Sequence, residues 1–257
     1  MIETRNISKS FENHKVLNDI SVTFDPGKTN LIIGESGSGK TVLMKCIVGL
    51  LDVDTGGIYF DNRNFTVMPL SERKKLRKEI GMLFQGGALF DSMTVLDNVM
   101  FPLRMLTGMT YKQRVKRALE CLDRVNLLGS NRLLPAEISG GMKKRVAIAR
   151  AIAIKPKYLF CDEPNSGLDP KTATLIDQLI AEITEEYQMT TIVNTHDMNS
   201  VIKIGDRVSF IHNGELWWEG DRNTILQSEN LEIKQFIYAN EILKHFRQEE
   251  GKTGSNS

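Results

Sequence analysis

The fold of this chain is decided by the stretch Gly34-Glu35-Ser36-Gly37-Ser38-Gly39-Lys40-Thr41. This stretch matches the phosphate-loop pattern at every fixed position. Its glycines allow successive backbone N–H groups to turn towards phosphate oxygens without a clash from a Cβ atom. Lys40 is placed to put a positive charge on the β- and γ-phosphates of a nucleotide, and Thr41 offers a hydroxyl to Mg²⁺. The pattern therefore predicts a binding site for a nucleoside triphosphate.

The sequence on either side of the loop favours this interpretation over an ordinary glycine-rich turn. An apolar run at 29–33 predicts a buried strand before the loop. After the loop, apolar residues recur at helical spacing, namely Val42, Leu43, Cys46, Ile47 and Leu50. A helix that begins at the loop points its positive end at the bound anion.

A second apolar strand, predicted at 158–161, is followed by Asp162 and Glu163. We expect Asp162 to contact Mg²⁺ and Glu163 to polarise the water at the γ-phosphate, because general-base work needs a carboxylate within hydrogen-bond reach of that water. Considered alone, such a pair is more often two solvated loop carboxylates. In a chain that also carries a phosphate loop, the catalytic interpretation is favoured.

A third element, Ile138-Ser139-Gly140-Gly141-Met142, precedes this second strand. Ser139 is predicted to be the N-cap of a helix, and the two glycines allow a backbone to approach an anion at the helix N-terminus. Many helix starts share these features, so the support for this element comes from its position, about twenty residues before the strand that ends in Asp162 and Glu163.

In this combination the three elements resemble the ATP-binding subunits of ABC (ATP-binding cassette) transporters, over nearly the whole chain. The resemblance implies an α/β P-loop NTPase fold with a RecA-like core, an antiparallel β subdomain and a helical subdomain. It also implies ATP and Mg²⁺ as cofactors. In this family, two copies of the chain form an ATP-sandwich dimer in which Ser139, Gly140 and Gly141 of one copy close on ATP held by the other.

The resemblance gives roles to four further residues. Gln85 matches the glutamine that contacts Mg²⁺ and senses the membrane subunit, and Asp169 belongs to a loop that contacts the opposite subunit. His196 matches the histidine that holds the γ-phosphate, and Phe11 matches the aromatic residue that stacks on adenine. Considered without their context, His196 would be a structural histidine and Phe11 a core residue.

The predicted site residues fall into three groups. The predicted catalytic residues are Lys40, Gln85, Glu163 and His196. The predicted metal-binding residues are Thr41, Gln85 and Asp162. The predicted nucleotide-binding residues are Phe11, Gly34, Glu35, Ser36, Gly37, Ser38, Gly39, Lys40, Thr41, Ser139, Gly140, Gly141 and Asp169.

The order of patterns along the chain predicts an ATPase domain over 1–230, with a helical subdomain at about 86–155, and an extension over 231–257. Within the helical part, a capping box at Thr110 opens a helix predicted to run to about 128. Asn213-Gly214 predicts a hairpin between strands at 208–211 and 215–219. The extension has an amphipathic pattern, formed by Leu231, Ile233, Phe236, Ile237, Ile242, Leu243 and Phe246. It would dock on its own body, on a neighbouring cassette or on an accessory subunit.

Composition excludes several classes of protein. The chain has 257 residues, 33 Lys and Arg against 32 Asp and Glu, and a net charge of +1, which argues against nucleic acid as a partner. No apolar run is long enough to span a membrane, and the three cysteines form no close pair. We therefore expect a cytoplasmic chain, bound peripherally to the inner membrane through a separate permease.

One segment indicates which transporter is served. Residues 84–95, together with Asn98, Val99 and 101–103, resemble the ATPases of Mla-type phospholipid transporters, which serve MCE-domain proteins in bacterial envelopes. Met142 supports this, since the wider family favours glutamine there, whereas Asn165 departs from the usual threonine. The alternative is an importer of polar solutes such as amino acids. A non-transport ATPase acting on DNA or ribosomes is disfavoured, because the chain has no room for a long coiled-coil insert or a second cassette.

Overall fold

A computed structural model describes residues 1–239 of the chain. The strands are β1 Ile2–Phe11, β2 His14–Phe24, β3 Thr29–Ile33, β4 Thr55–Phe60, β5 Arg63–Asn64, β6 Ile80–Leu83, β7 Tyr158–Asp162, β8 Thr190–Thr195, β9 Arg207–His212 and β10 Glu215–Gly220. The α-helices are α1 Lys40–Ile47, α2 Leu70–Arg77, α3 Val95–Leu106, α4 Tyr111–Arg124, α5 Gly140–Ile152, α6 Pro170–Tyr187, α7 Met198–Ile204 and α8 Leu231–Ala239.

The strands form two sheets. The larger sheet has the order β10-β9-β3-β8-β7-β6, in which β10 is antiparallel to β9 and the other neighbours are parallel. The smaller sheet, β2-β1-β4-β5, is antiparallel throughout. The predicted α/β fold with a separate antiparallel subdomain is confirmed.

The larger sheet is covered on both faces, which explains why its central strands are apolar without alternation. Leu31 and Ile33 of β3 belong to a buried cluster formed with α3, α4, α5 and α6. Ile32, between them, points to a second cluster, formed with α1 and the antiparallel sheet. Burying each such side chain contributes about 1.5–3 kcal/mol. The sheet that carries the site is therefore held rigidly from both sides.

The helical part of the chain has the predicted capping box but a shorter helix. The backbone N–H of Thr110 donates to Gln113 Oε1 at 2.8 Å, and that of Gln113 donates to Thr110 Oγ1 at 3.4 Å. The helix ends at Arg124 and not near 128, because Asn126 adopts a left-handed conformation with φ of 55°. The predicted Asn213-Gly214 hairpin is present, with positive φ at both residues.

The first part of the C-terminal amphipathic pattern packs on the chain's own body. Ile233, Phe236 and Ile237 of α8 are buried, and the ring of Phe236 lies 5.4 Å from that of Phe210 in β9. Leu231, which the pattern placed on the apolar face, is 69% exposed at the first position of the helix. The rest of the predicted amphipathic pattern, Ile242, Leu243 and Phe246, lies outside the described residues.

Candidate nucleotide-binding site

The carboxyl ends of four parallel strands meet at one edge of the larger sheet. The phosphate loop, residues 34–41, follows β3, and Gln85 follows β6. Asp162 ends β7, and His196 follows β8. Since Asp162 and Asn194 are register partners, these strands end at nearly the same level. Open parallel sheets bind ligands at this edge.

Close packing around the phosphate loop requires glycine at two of its positions. Gly34 has φ of 149°, and a Cβ atom there would lie 2.2 Å from the carbonyl oxygen of Ile211. Gly39 has φ of 105°, and a Cβ atom there would lie 2.9 Å from Leu17 Cδ2. Helix α1 then begins at Lys40 without a side-chain cap. Its first N–H groups therefore stay available to an anion.

Lys40 is folded into the loop that it belongs to. Its side chain is 6% exposed, and Nζ donates to the carbonyl oxygens of Gly34 and Glu35, both at 2.8 Å. Burial lowers the pKa of the ammonium group, while the carboxylates of Glu163, Asp162 and Glu35 oppose this effect. Here the Lys40 ammonium group binds two carbonyl oxygens, which carry only partial negative charge. A phosphate group would offer it a full negative charge.

Two predicted metal-binding residues face each other across the site. Thr41 Oγ1 lies 3.5 Å from Asp162 Oδ1, which also accepts a hydrogen bond from Asn194 Nδ2 at 3.1 Å. Mg²⁺ prefers such oxygen ligands and is often held by one or two carboxylates together with substrate phosphates. Residues 1–239 contain no cluster of three or more His, Cys, Asp or Glu side chains that could hold a metal alone. The residues present thus fit a metal ion shared with a phosphate group.

Three of the predicted catalytic residues form one hydrogen-bonded group. Gln85 Nε2 donates to Glu163 Oε2 at 2.9 Å, and His196 Nδ1 lies 3.1 Å from Glu163 Oε1. Glu163 and His196 also line a pocket of about 250 Å³ with residues 165–167. The carboxylate is therefore held from both sides next to an open space that can hold water.

The residues predicted from the third motif lie together in a different place. Ser139 is the N-cap of α5, where its Oγ accepts from the backbone N–H of Met142 at 3.2 Å. Ser139, Gly140, Gly141 and Asp169 line a cavity of about 610 Å³ that no phosphate-loop residue lines. Asp169 is also the N-cap of α6, accepting from the N–H groups of Lys171 and Thr172. Within the described chain, this group is separate from the phosphate loop.

Phe11 is exposed, as a residue that stacks on a ligand must be. It ends β1, opposite His14, and its side chain is 43% exposed, with the Lys9 ammonium 5.6 Å from its ring. The interpretation of Phe11 as a core residue is therefore wrong. Its stacking on adenine stays a prediction.

Comparison with known proteins identifies the family. The sequence profile described as ABC transporter matches residues 17–166, which include the phosphate loop, Gln85, Ser139, Asp162 and Glu163. The chain belongs to the ABC transporter family.

Relatives within the ABC transporter family have different names. The intermembrane phospholipid transport ATP-binding protein MlaF of Haemophilus influenzae is 37% identical over 92% of this chain and 90% of its own length. The methionine import ATP-binding protein MetN of Bartonella henselae is 39% identical over 89% of this chain and 67% of its own length. The probable ribonucleotide transport ATP-binding protein mkl of Mycobacterium tuberculosis is 35% identical over 94% of this chain and 67% of its own length. These names agree on an ATP-binding transport protein and differ in substrate.

This chain matches a solved ABC cassette over almost the whole length of the solved structure. The dimeric, post-hydrolysis structure of the ATP-binding cassette MJ0796 with ADP and Pi has a TM-score of 0.79 and 33% identity, covering 86% of this chain and 99% of that one. The chain is thus an ATP-hydrolysing cassette. Among the described residues, no helix has both the length and the apolar character needed to cross a bilayer.

Two residues of the cassette site were missed by the sequence analysis. Asn194, near the end of β8, donates from Nδ2 to Asp162 Oδ1 at 3.1 Å, and no sequence motif marks it. Lys144 follows the Ser139 motif, is 6% exposed, and contacts the backbone at Gln85 and Glu163. The helical spacing of the sequence indicates that Lys144 is buried, because residues three and four positions apart share a helix face and Lys144 lies on the same face of α5 as the buried Ala147 and Ile148.

Proposed function

We propose that the chain powers phospholipid trafficking in the bacterial cell envelope through a separate membrane permease. The observation that carries this proposal is the match to MlaF, which covers 92% of this chain and 90% of the relative. MetN and mkl extend well beyond the region they share with this chain, since the match covers 67% of each. Met142, the last residue of the Ser139 motif, stands where the wider family favours glutamine, which supports the same assignment.

Import of a polar solute such as an amino acid is the second candidate. It is supported by MetN, whose identity of 39% exceeds the 37% of MlaF. Both candidates use the same hydrolysis chemistry, so the site does not discriminate between them. A role on DNA or ribosomes has no support among these relatives.

The permease would dock in an apolar groove of about 430 Å³ beside the Gln85 loop. Phe84 and Phe90 are partly exposed there, and the rings of Phe90 and Phe101 lie 4.6 Å apart. Arg150 of α5 fixes the loop by donating to the carbonyl oxygens of Gly87 and Ala88, both at 2.7 Å. A short amphipathic helix from the permease suits a groove of this kind. The cassette would then be peripheral, on the cytoplasmic face of the inner membrane.

The working form would be an ATP-closed dimer with Mg²⁺. The Ser139 group does not reach the phosphate loop of its own chain, which supports a role on the ATP of a second copy. Mg²⁺, held by Thr41, Asp162 and Gln85, would neutralise charge on the phosphates. Lys40 binds the β- and γ-phosphates, His196 contacts the γ-phosphate, and Glu163 orients the attacking water. An MCE-domain protein and an accessory subunit would complete the transporter.

The proposal is tested by deleting the gene and complementing it with the wild-type chain or with Glu163→Gln. Outer-leaflet phospholipid and detergent sensitivity should change in the deletion strain and recover only with the wild type. A requirement for one amino acid, with normal envelope lipid, would instead support the importer. Phe90→Glu, in the groove, should also fail to complement, whereas Leu128→Glu on the exposed surface should complement.

A further inference from the structure

A buried cation on α5 lies against the backbone of two predicted catalytic residues. Lys144, in the second turn of this helix, donates from Nζ to the carbonyl oxygen of Gln85 and, at 3.4 Å, to that of Glu163. Burial lowers the pKa of its ammonium group, while the charges of Glu163 and Asp162 oppose this effect. The hydrolysis chemistry described above makes no use of this cation.

The contacts of Lys144 close a ring with Gln85 and Glu163. Gln85 uses its carbonyl oxygen for Lys144 and its Nε2 for Glu163 Oε2, at 2.9 Å. The three residues come from three separate segments, namely α5, the loop after β6 and the end of β7. A shift of α5 therefore alters the hydrogen bonds of both other members.

Glu163 has a backbone that must be held in place. Its φ of 45° lies in the left-handed region, which is unfavourable for a residue with this side chain. Its N–H donates to the carbonyl oxygen of Asn194 at 3.0 Å, and its own carbonyl oxygen accepts from Ser166 N at 3.2 Å as well as from Lys144. These bonds on both sides of the Cα atom set the direction in which the carboxylate points.

The same helix begins at the residue proposed to contact the ATP of a second copy. Ser139 caps α5, and Ser139 and Gly140 are exposed on the cavity described above. Lys144 is five residues further along, which corresponds to about 7.5 Å of helix. Because a packed helix moves as a rigid element, a displacement at its N-terminus reaches Lys144.

We propose that Lys144 is a positioning residue that couples the two ATP sites of the dimer. Through it, the alignment of Glu163 in one copy depends on whether Ser139 of that copy has engaged the ATP bound by its partner. The inference rests on the ATP-closed dimer of the proposed function. It adds a route by which binding at one site prepares hydrolysis at the other.

The test is ATP hydrolysis by the full chain as a function of ATP concentration. We expect Lys144→Met to lower kcat about tenfold, to change KM less than about twofold, and to bring a wild-type Hill coefficient near 2 down to about 1. Lys144→Arg, which keeps a cation and donors, should recover part of kcat and of the cooperativity. Lys143→Met is the matched control, because Lys143 is the adjacent lysine and does not line the cavity, and it should behave as the wild type.

Three results would overturn the coupling. These are wild-type kinetics in Lys144→Met, a lowered kcat with an unchanged Hill coefficient, and a wild type without cooperativity. If Lys144→Met does not fold, Lys144→Gln, which keeps a neutral donor, is measured with the same criteria.

Sedimentation of Glu163→Gln with ATP distinguishes failure of the proposed dimer from failure of the coupling through Lys144. Absence of a dimer removes the proposed assembly and the coupling with it, whereas a dimer with unchanged Lys144→Met kinetics removes only the coupling.

Discussion

At the scale of single residues, the carboxylate of Glu163 has a hydrogen-bond partner at each of its oxygens. Gln85 donates to one of its oxygens and His196 lies against the other, at 2.9 and 3.1 Å. The backbone is fixed as well, although its conformation is unfavourable for glutamate. These contacts fix the orientation of the carboxylate, and a general base must be oriented towards the proton that it accepts.

Replacing Glu163 by glutamine keeps the shape of the side chain and removes its charge. We expect ATP turnover by Glu163→Gln to fall at least about 100-fold, because the amide cannot accept a proton from the attacking water. ATP affinity should change less than about threefold, since the phosphate loop is untouched. Phosphate release and equilibrium binding of a fluorescent ATP analogue measure the two quantities. Glu120→Gln, on the exposed face of α4, is the control and should retain full turnover. Turnover above a tenth of the wild-type rate in Glu163→Gln would exclude Glu163 as the base.

At the scale of elements, a buried polar cluster joins the loop after β7 to α6 and α7. Asn165 Nδ2 donates to Asp177 Oδ1 at 2.7 Å, and Ser200 Oγ donates to Asp177 Oδ2 at 2.9 Å. Asn165 Nδ2 also lies 3.1 Å from Ser200 Oγ. The substitution of asparagine for the usual threonine therefore has a local partner, the Asp177 carboxyl. The cluster connects the segment after Glu163 with the helix that follows His196.

Asp177 should make stability depend on pH. Burial raises the pKa of its carboxyl to about 6, with a smaller contribution from Asp197, while Asn165, Ser200 and Lys203 oppose the shift. Between about pH 4 and pH 6 the folded chain keeps a proton that the unfolded chain has lost, so this group's contribution to the free energy of unfolding decreases as pH rises, by up to about 3 kcal/mol.

Denaturant unfolding at several pH values measures this effect against Asp177→Asn. The difference in unfolding free energy, wild type minus variant, should decrease from about pH 4 to about pH 6 and stay constant above that range. Leu175→Ala, at an exposed apolar residue of the same helix, is the control; it removes no titratable group and should leave the pH dependence unchanged. A difference that does not vary with pH would show that Asp177 titrates normally.

The docking of α8 makes a second prediction at this scale. Phe236 is buried against Phe210, whereas Leu231 of the same helix is 69% exposed. Phe236→Ala should lower the free energy of unfolding by about 3 kcal/mol, and Leu231→Ala by less than about 0.5 kcal/mol. Chemical denaturation compares the two variants. Equal effects would mean that the helix does not dock as described.

Strands and helix starts that are specified by a few neighbouring residues could be predicted from the sequence. Continuous apolar runs predicted β3 and β7, and the capping box predicted the start of α4, because these signals act within a few residues. The contact of Gln85 with Glu163, 78 residues apart, depends on the order of strands in a parallel sheet. No local pattern encodes that order, so the contact between these two residues was not predicted. For Lys144, the face of α5 on which it lies indicates burial, but its partners lie on other segments and no local pattern identifies them.

At the scale of the whole molecule, the predicted site residues fall into two groups that one chain does not bring together. The phosphate loop and Glu163 lie at the edge of the larger sheet, while Ser139 and Asp169 line a cavity to which neither the phosphate loop nor Glu163 contributes. A dimer with two-fold symmetry would place the second group of one copy over the first group of the other, twice. The matched cassette MJ0796 was solved as a dimer with ADP and Pi.

Nucleotide should therefore control the association of two copies of this chain. Glu163→Gln with ATP and Mg²⁺ should sediment at twice the monomer mass of 29.0 kDa, because hydrolysis no longer opens the dimer. The same variant without nucleotide, or with ADP, should sediment as a monomer. Adding Ser139→Arg should abolish the dimer while leaving ATP binding intact, since it changes the contact with the partner's ATP and not the chain's own phosphate loop. If the double variant still dimerises, the Ser139 group does not form the interface. If Glu163→Gln stays monomeric at saturating ATP, the two groups of residues act in some other arrangement.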